Sequence, residues 1–240
     1  MARYDATVTN EPRAMNRRER LRAQTLQEIE DASFTIIDAE GVHALSIAAL
    51  ARSMAMSAPA LYRYFPSRDA LVAHLITRAY EQLVAAMGEG MESRRRTPRA
   101  RVRLLVVGYR DWALGHRRRY GMLFGEQTGD IPEQVGTQSP LNLAMTQLVD
   151  LLAAEADDPA APVSSGDRTL DTQLRVWAKA LRRPDVSPRI ARASIIIWTR
   201  VHGIVSLELT GMVDNHSIEV QRLIDLEVDN AIQLLTRAGA

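Results

Sequence analysis

The sequence predicts an all-α chain, with a three-helix N-terminal unit followed by a larger helical body, about nine helices in all. Three observations carry this. Apolar residues recur at spacings of three and four through nearly every long segment. Serine stands where helices would begin (Ser46, Ser57, Ser67), and Gly41 and Pro66 stand where they would end. No run alternates apolar with polar residues as a half-buried strand does. The β-branched run Ile195-Ile196-Ile197 lies inside a long periodic segment without turn residues and reads as helix.

In chain order, residues 1–16 are polar, carry Pro12 and show no period, so they read as a disordered arm. Over 20–40 the apolar stripe Leu26, Ile29, Ile36 and Ile37 predicts the first helix, closed by Gly41. Ser46 opens a short helix over 47–54, which Ala55-Met56-Ser57 breaks. Ser57 can cap a third helix with Pro59 in its first turn, where a missing N–H costs nothing. That helix ends near Tyr64, before Pro66. Ser67 caps a longer fourth helix reaching about Met87. Gly88, Gly90 and Arg94-Arg95-Arg96-Thr97-Pro98 mark a joint. Helical periods resume over 99–116, 141–156, 169–182, 188–212 and 217–237. Turn chemistry at 129–132, 157–166, 183–185 and 214–215 separates them.

At 240 residues, 46% hydrophobic and 25% charged, the chain can bury a core without metals or disulfides. The absence of cysteine excludes a disulfide framework, thiolate zinc sites, iron–sulfur clusters and cysteine nucleophiles. No stretch approaches a membrane-spanning helix, and the N-terminus lacks the apolar segment of a secretory signal, so the expected location is the cytoplasm with no membrane partner. The histidines at 43, 74, 116, 202 and 216 show no metal-ligand spacing, and neither a phosphate loop nor a nucleophile elbow is present. Neither an enzyme nor a metal or other cofactor is expected. Net charge is only +1, yet five arginines against one glutamate lie between residues 13 and 22. Arg17 and Arg18 in that run are candidate phosphate contacts; a solvated helix start is the plainer alternative.

Two short helices joined by a three-residue turn are the layout of a helix-turn-helix, whose second helix sets its N-terminal residues against base edges in the major groove. In that helix Leu61 and Phe65, four apart, face the core. Ser57, Ala58, Ala60 and Tyr62 fall on the other faces; small residues at 58 and 60 permit close approach and contact with a thymine methyl. Tyr62 and Tyr64 offer hydroxyls to phosphate oxygens, although Tyr64 also reads as a core aromatic. Arg63 could bond guanine or simply be exposed. Ser46, with the free N–H groups of its helix start, is a candidate anion contact, and Arg68 in the first turn of the fourth helix could reach the same duplex.

The strings Ser46-Ile47-Ala48-Ala49-Leu50-Ala51 and 56–71, with Leu61-Tyr62-Arg63-Tyr64-Phe65 followed by Ser67-Arg68-Asp69-Ala70-Leu71, resemble the DNA-binding domain of TetR-family transcriptional regulators. The resemblance covers residues 20 to about 72. It implies that Ser46, Ser57, Tyr62, Tyr64 and Arg68 contact operator DNA. Two residues depart from the pattern: Ala55 stands where the turn usually holds glycine, which implies a strained or altered turn, and Ala58 stands where a basic residue is frequent.

One such unit buries too little surface for strong recognition, so the chain is expected to act as a homodimer on two half-sites. The segment 188–212 is apolar nearly all round, and 217–237 repeats Val220, Ile224, Val228, Ile232 and Leu235. Two copies of each would form a four-helix bundle, as the last two helices do in the resembled family. Trp198 and His202-Gly203 look like the Trp…His-Gly element of one subclass, with Gly203 expected to let helices approach closely. Tyr109, Trp112 and His116 share a face of the fifth helix; with Met122, Phe124, Met145, Trp177 and His202 they are candidates to line a cavity for a small apolar or aromatic effector. The alternative is plain core for the aromatics and a satisfied interior position for His202. The expected division is an arm at 1–16, a helix-turn-helix domain at 17–66 and an effector-binding and dimerisation domain at 67–240. The overall expectation is a ligand-released repressor; a regulator without an effector is the alternative.

Overall fold

Asn16 starts the first helix, α1 (Arg17–Glu40), with a reciprocal cap: its side chain accepts from the Glu19 N–H while Glu19 accepts from the Asn16 N–H. The helix therefore begins three residues before its apolar stripe predicts. Gly41, at φ 90°, closes it and leads into a 3-10 turn, Val42–Ala44. The computed structural model describes residues 16–89, 96–124, 140–156, 167–213 and 218–236. Residues 1–15 of the expected arm, the arginines at 94 and 95, and the turns at 129–132, 157–166 and 214–215 lie outside the described residues, while Asn16 belongs to the cap of α1.

Ser46 caps α2 (Ile47–Ser53), accepting from the Ala49 N–H at 3.1 Å. A sharp turn at 54–57 leads to α3 (Ala58–Tyr62). Ser57 stands at the cap position of α3, but its hydroxyl accepts no helix N–H, contrary to the capping role expected of it. Ser67 does cap α4 (Arg68–Gly88), from the Ala70 N–H. Ile29, Phe34 and Ile37 of α1, Leu45, Leu50 of α2, and Leu61 and Phe65 around α3 close one core over the start of α4. Each such side chain stabilises the unit by about 1.5–3 kcal/mol. Buried Glu30 ties α1 to α4, accepting from His74 at 2.8 Å and Arg78 at 2.9 Å.

The body comprises α5 (Pro98–Gly115), α6 (Arg117–Phe124), α7 (Pro140–Ala153), α8 (Arg168–Ala180), α9 (Pro188–Leu209) and α10 (Val220–Thr236). Among the described residues the count is ten α-helices and no strand, one helix more than expected. The addition is α6, which lies between the helical periods expected over 99–116 and 141–156. Helix α5 packs along α4, and α9 packs along α10 and against α5, α7 and α8. Between α5 and α9, Glu208 is buried and takes both prongs of the Arg110 guanidinium.

Two expectations need correction. Helix α9, with 22 residues and a mean hydropathy of 1.2, does reach the length and apolarity of a membrane span. Its apolarity has a use inside the fold, where Ile190, Ile197, Val201 and Val205 are core. And Gly203 admits no close neighbour within the chain: a Cβ there would meet nothing within 4 Å. The tight glycine is Gly108, where a Cβ would lie 2.3 Å from the Ala86 carbonyl oxygen across the α4–α5 contact.

Candidate functional site

The α3 surface is built on Leu61 and Phe65, both buried, which hold the helix by one side. That leaves Ser57, Pro59, Tyr62 and Arg63 exposed, with Tyr62 at 52%. An aromatic half in water on a five-residue helix is available to a ligand surface rather than to the core. Ala60 is half-buried, and Ala58 packs partly against the core, so its methyl is only partly available to a base. Tyr64 is half-buried with the Arg22 guanidinium 5.2 Å above its ring. Arg17 and Arg18 stand exposed on the first turn of α1. Ser46 uses one of its two oxygen lone pairs on the α2 cap, and the cap does not use its hydroxyl proton.

Arg68 is placed otherwise than expected. Its Nε donates to the Leu45 carbonyl and its Nη2 to the Val42 carbonyl, both at 2.8 Å. The side chain thus pins the start of α4 to the turn that precedes α2, and with it fixes how the two short helices sit. Asp69 lies 3.7 Å from Nη1.

In the body, the residues expected to line one cavity separate into two groups. Tyr109, Phe124 and His202 come together with Tyr120 and Trp198. The His202 ring stacks between Tyr120 and Trp198, at 5.9 and 6.0 Å. The Tyr109 hydroxyl is 2.7 Å from His202 Nδ1 and donates to the Tyr120 hydroxyl at 3.2 Å; Tyr120 in turn lies 2.7 Å from the Ser206 hydroxyl. Burial, and then the neighbouring Tyr120, push the Tyr109 hydroxyl far above the usual phenol range. Burial lowers the His202 pKa from its ordinary 6.5, so the neutral imidazole is favoured. Ser206 is the member that no sequence pattern singles out as a site. It follows four residues after His202 on an apolar helix, where a lone hydroxyl gives no signal.

Trp112 and His116 form the second group. They stack at 5.1 Å, and the His116 Nδ1–H donates to the Trp112 carbonyl at 3.0 Å. They line a crevice of about 650 Å³ between α4 and α5, walled also by Gln82, Ala86, Val107 and Arg119. Met122 and Met145 are buried in the common core, and Trp177, on α8, is half-buried against it. Among the described residues, Trp177 stacks on no ring of either group.

Known proteins carry the same two parts. Residues 29–75 match the family described as bacterial regulatory proteins, tetR family, and residues 102–231 match the tetracyclin repressor-like C-terminal domain. The HTH-type transcriptional regulator Mb1846 of Mycobacterium bovis is 26% identical over 180 residues, 71% of this chain and 74% of that protein. Rv1816 of Mycobacterium tuberculosis, also an HTH-type transcriptional regulator, matches to the same extent. Among solved structures, the putative regulatory protein SCO4313 superposes with a TM-score of 0.73 at 29% identity, over 91% of this chain and 100% of its own. A TetR-like transcriptional regulator from Rhodococcus sp. RHA1 shares the fold at a TM-score of 0.54 and 20% identity, over 92% and 96%. Two family matches, one at each end, therefore span the same helix-turn-helix and helical body that the geometry displays, and the chain belongs to the TetR family of DNA-binding transcriptional regulators, a non-enzymatic family.

Proposed function

We propose that the chain is a cytoplasmic, dimeric repressor that a small apolar or aromatic molecule releases from its operator. The arm at 1–16 and the domain at 17–66 read DNA, and 67–240 binds effector and forms the dimer. The observation that carries the reading is the exposed face of α3, where Ser57, Tyr62 and Arg63 project from a helix held by Leu61 and Phe65. In this reading Ala58, Ala60 and Arg63 meet base edges, while Tyr62, Tyr64, Ser46, Ser57, Arg17 and Arg18 meet phosphates. Arg68 acts chiefly by shaping the unit, and its Nη1, with Asp69 3.7 Å away, is the nitrogen left to reach a phosphate. Fluorescence anisotropy with the DNA upstream of the chain's own gene tests this. Tight, salt-dependent binding that Tyr62→Phe weakens about fivefold supports it; no binding to any upstream fragment refutes it.

The α9–α10 pair would form the dimer, and the crevice of about 650 Å³ beside Trp112 and His116 is the place for an effector. The alternative, a regulator without an effector, draws support from the Tyr109 group, whose hydroxyls and rings already satisfy one another. Thermal shift across a panel of small aromatic compounds separates the two: a saturable rise in Tm that Trp112→Ala abolishes favours the effector.

A further inference from the structure

Among the described residues, two main links join the N-terminal unit to the body. One is α4, which runs unbroken from Arg68 to Gly88 and packs on α5, α6 and α7. The other is the contact of α6 with α1, and it centres on one side chain. Arg119 of α6 is only 14% exposed. Its Nε donates to both oxygens of Asp38 on α1, at 3.0 and 3.2 Å, and its Nη2 donates to Asp38 Oδ2 at 2.5 Å. Its Nη1 donates to Gln82 Oε1 on α4 at 2.9 Å. The flat face of the guanidinium lies 4.1 Å over the ring of buried Phe34, again on α1. A fork, a third donor and a stacking face are thus used at once, which arginine provides and lysine does not.

The next residue, Tyr120, belongs to the hydroxyl network of α5 and α9. An eight-residue helix is therefore fastened to the body interior at one residue and to the N-terminal unit at the one before it. Both connections are too short and too directional to allow much relative tilt.

We infer that Arg119 is a positioning residue for DNA reading: through Asp38, Phe34 and Gln82 it fixes the angle at which the reading unit is held on the body, beside and in addition to α4. The inference rests on the reading of 17–66 as the DNA-binding unit. In a dimer that angle sets the separation of the two recognition helices, which must match successive major grooves.

The chain has no cysteine, so Arg52→Cys on α2 and Gln173→Cys on α8, both exposed, create a unique pair of spin-label positions. Labelled chain diluted into excess unlabelled full-length chain reports the distance from reading unit to body within one subunit. The parent should give a narrow distribution, and Arg119→Gln and Asp38→Asn should each broaden it at least twofold while the circular dichroism spectrum stays unchanged. Arg119→Lys should broaden it as well. Unchanged widths in folded Arg119→Gln and Asp38→Asn would overturn the inference. Should Arg119→Gln fail to fold, Asp38→Asn decides alone, because Asp38 is 39% exposed and the change is nearly isosteric. A second arm uses duplexes that the parent selects from a random pool. Inserting two base pairs between half-sites should penalise Arg119→Gln at least fivefold less than the parent, and an equal penalty counts against the inference. If the parent selects no duplex, the DNA-reading assignment fails, and the spin-label widths still decide whether Arg119 holds the angle.

Discussion

Ala55 sits at φ 53°, in the left-handed region, between α2 and α3. The Met56 N–H reaches back to the Ala51 carbonyl at 2.9 Å and the Ala55 N–H to Arg52 at 3.3 Å, the paired bonds of a Schellman helix end. This cap is made for glycine, and a Cβ there costs about 1–2 kcal/mol. Ala55→Gly is therefore expected to stabilise the protein by about 1 kcal/mol, part of the gain being offset by the freer unfolded chain, and urea denaturation measures it. A lower midpoint would show the turn to be unstrained. His202 supplies a pH signature. Its folded pKa lies below the unfolded value of about 6.5, so as pH falls past 6.5 the unfolded chain takes up a proton that the folded chain resists. Stability should drop between pH 7.5 and 5.5, and should drop less in His202→Gln; equal slopes would remove burial as the cause. The turn strain was legible because the helix-turn-helix pattern puts residue 55 at a glycine position. The true partners of Arg68 and Arg22 were not. Local spacing cannot show that Arg68 would find the carbonyls of Val42 and Leu45, 26 and 23 residues back, or that Arg22 would lie over Tyr64.

Helices with capping residues and long apolar stripes were legible to within a few residues. Helix α6 escaped because it is short, opens with Arg117-Arg118-Arg119 and holds Gly121, so its own eight residues show no stripe. What makes it a helix is tertiary: Tyr120, Met122 and Leu123 fill the body core, while Arg119 binds α1. The split of the expected cavity has the same origin. Tyr109 and Trp112 lie on one face of α5, but α6 and α9 close over the first and leave the second at the crevice. The α4–α5 contact makes a sharp expectation at this scale. Gly108→Ala gains about 1 kcal/mol of helix propensity. Against that, the new methyl would lie 2.3 Å from a backbone carbonyl, which cannot turn aside as a side chain can. Overpacking of this kind costs about 1–3 kcal/mol, and a backbone clash lies at the upper end. The net expectation is a loss of about 1–2 kcal/mol, with α4 displaced and operator affinity reduced. A variant as stable as the parent, by denaturant midpoint, would mean that the two helices slide apart freely.

For the molecule as a whole, the open question of architecture is what covers α9 and α10. Leu207, Met212, Ile218 and Leu226, on or beside this pair, are between 44% and 60% exposed, and Gly203 faces open space. That much unpartnered apolar surface on the two final helices is costly to leave in water, and a two-fold symmetric partner would bury it twice over. Leu226→Glu is the direct test. In an isologous interface one substitution would place two carboxylates. A central apolar anchor is worth about 2 kcal/mol or more, so the doubled loss is about 4 kcal/mol, or roughly a thousandfold in dimer Kd. Light scattering should find the parent at twice 26.7 kDa and the variant at one chain mass at micromolar concentration. The monomer fold should survive, since Leu226 is 54% exposed and contributes little to the core. Operator affinity should collapse with the dimer, because each freed unit grips one half-site only. Gly203→Ala refines the result. It gains about 1 kcal/mol of helix propensity where nothing in the chain obstructs a methyl. If the partner helix crosses at Gly203, that variant will be more stable as a monomer and weaker as a dimer. If Leu226→Glu remains dimeric, the subunits meet through some other face.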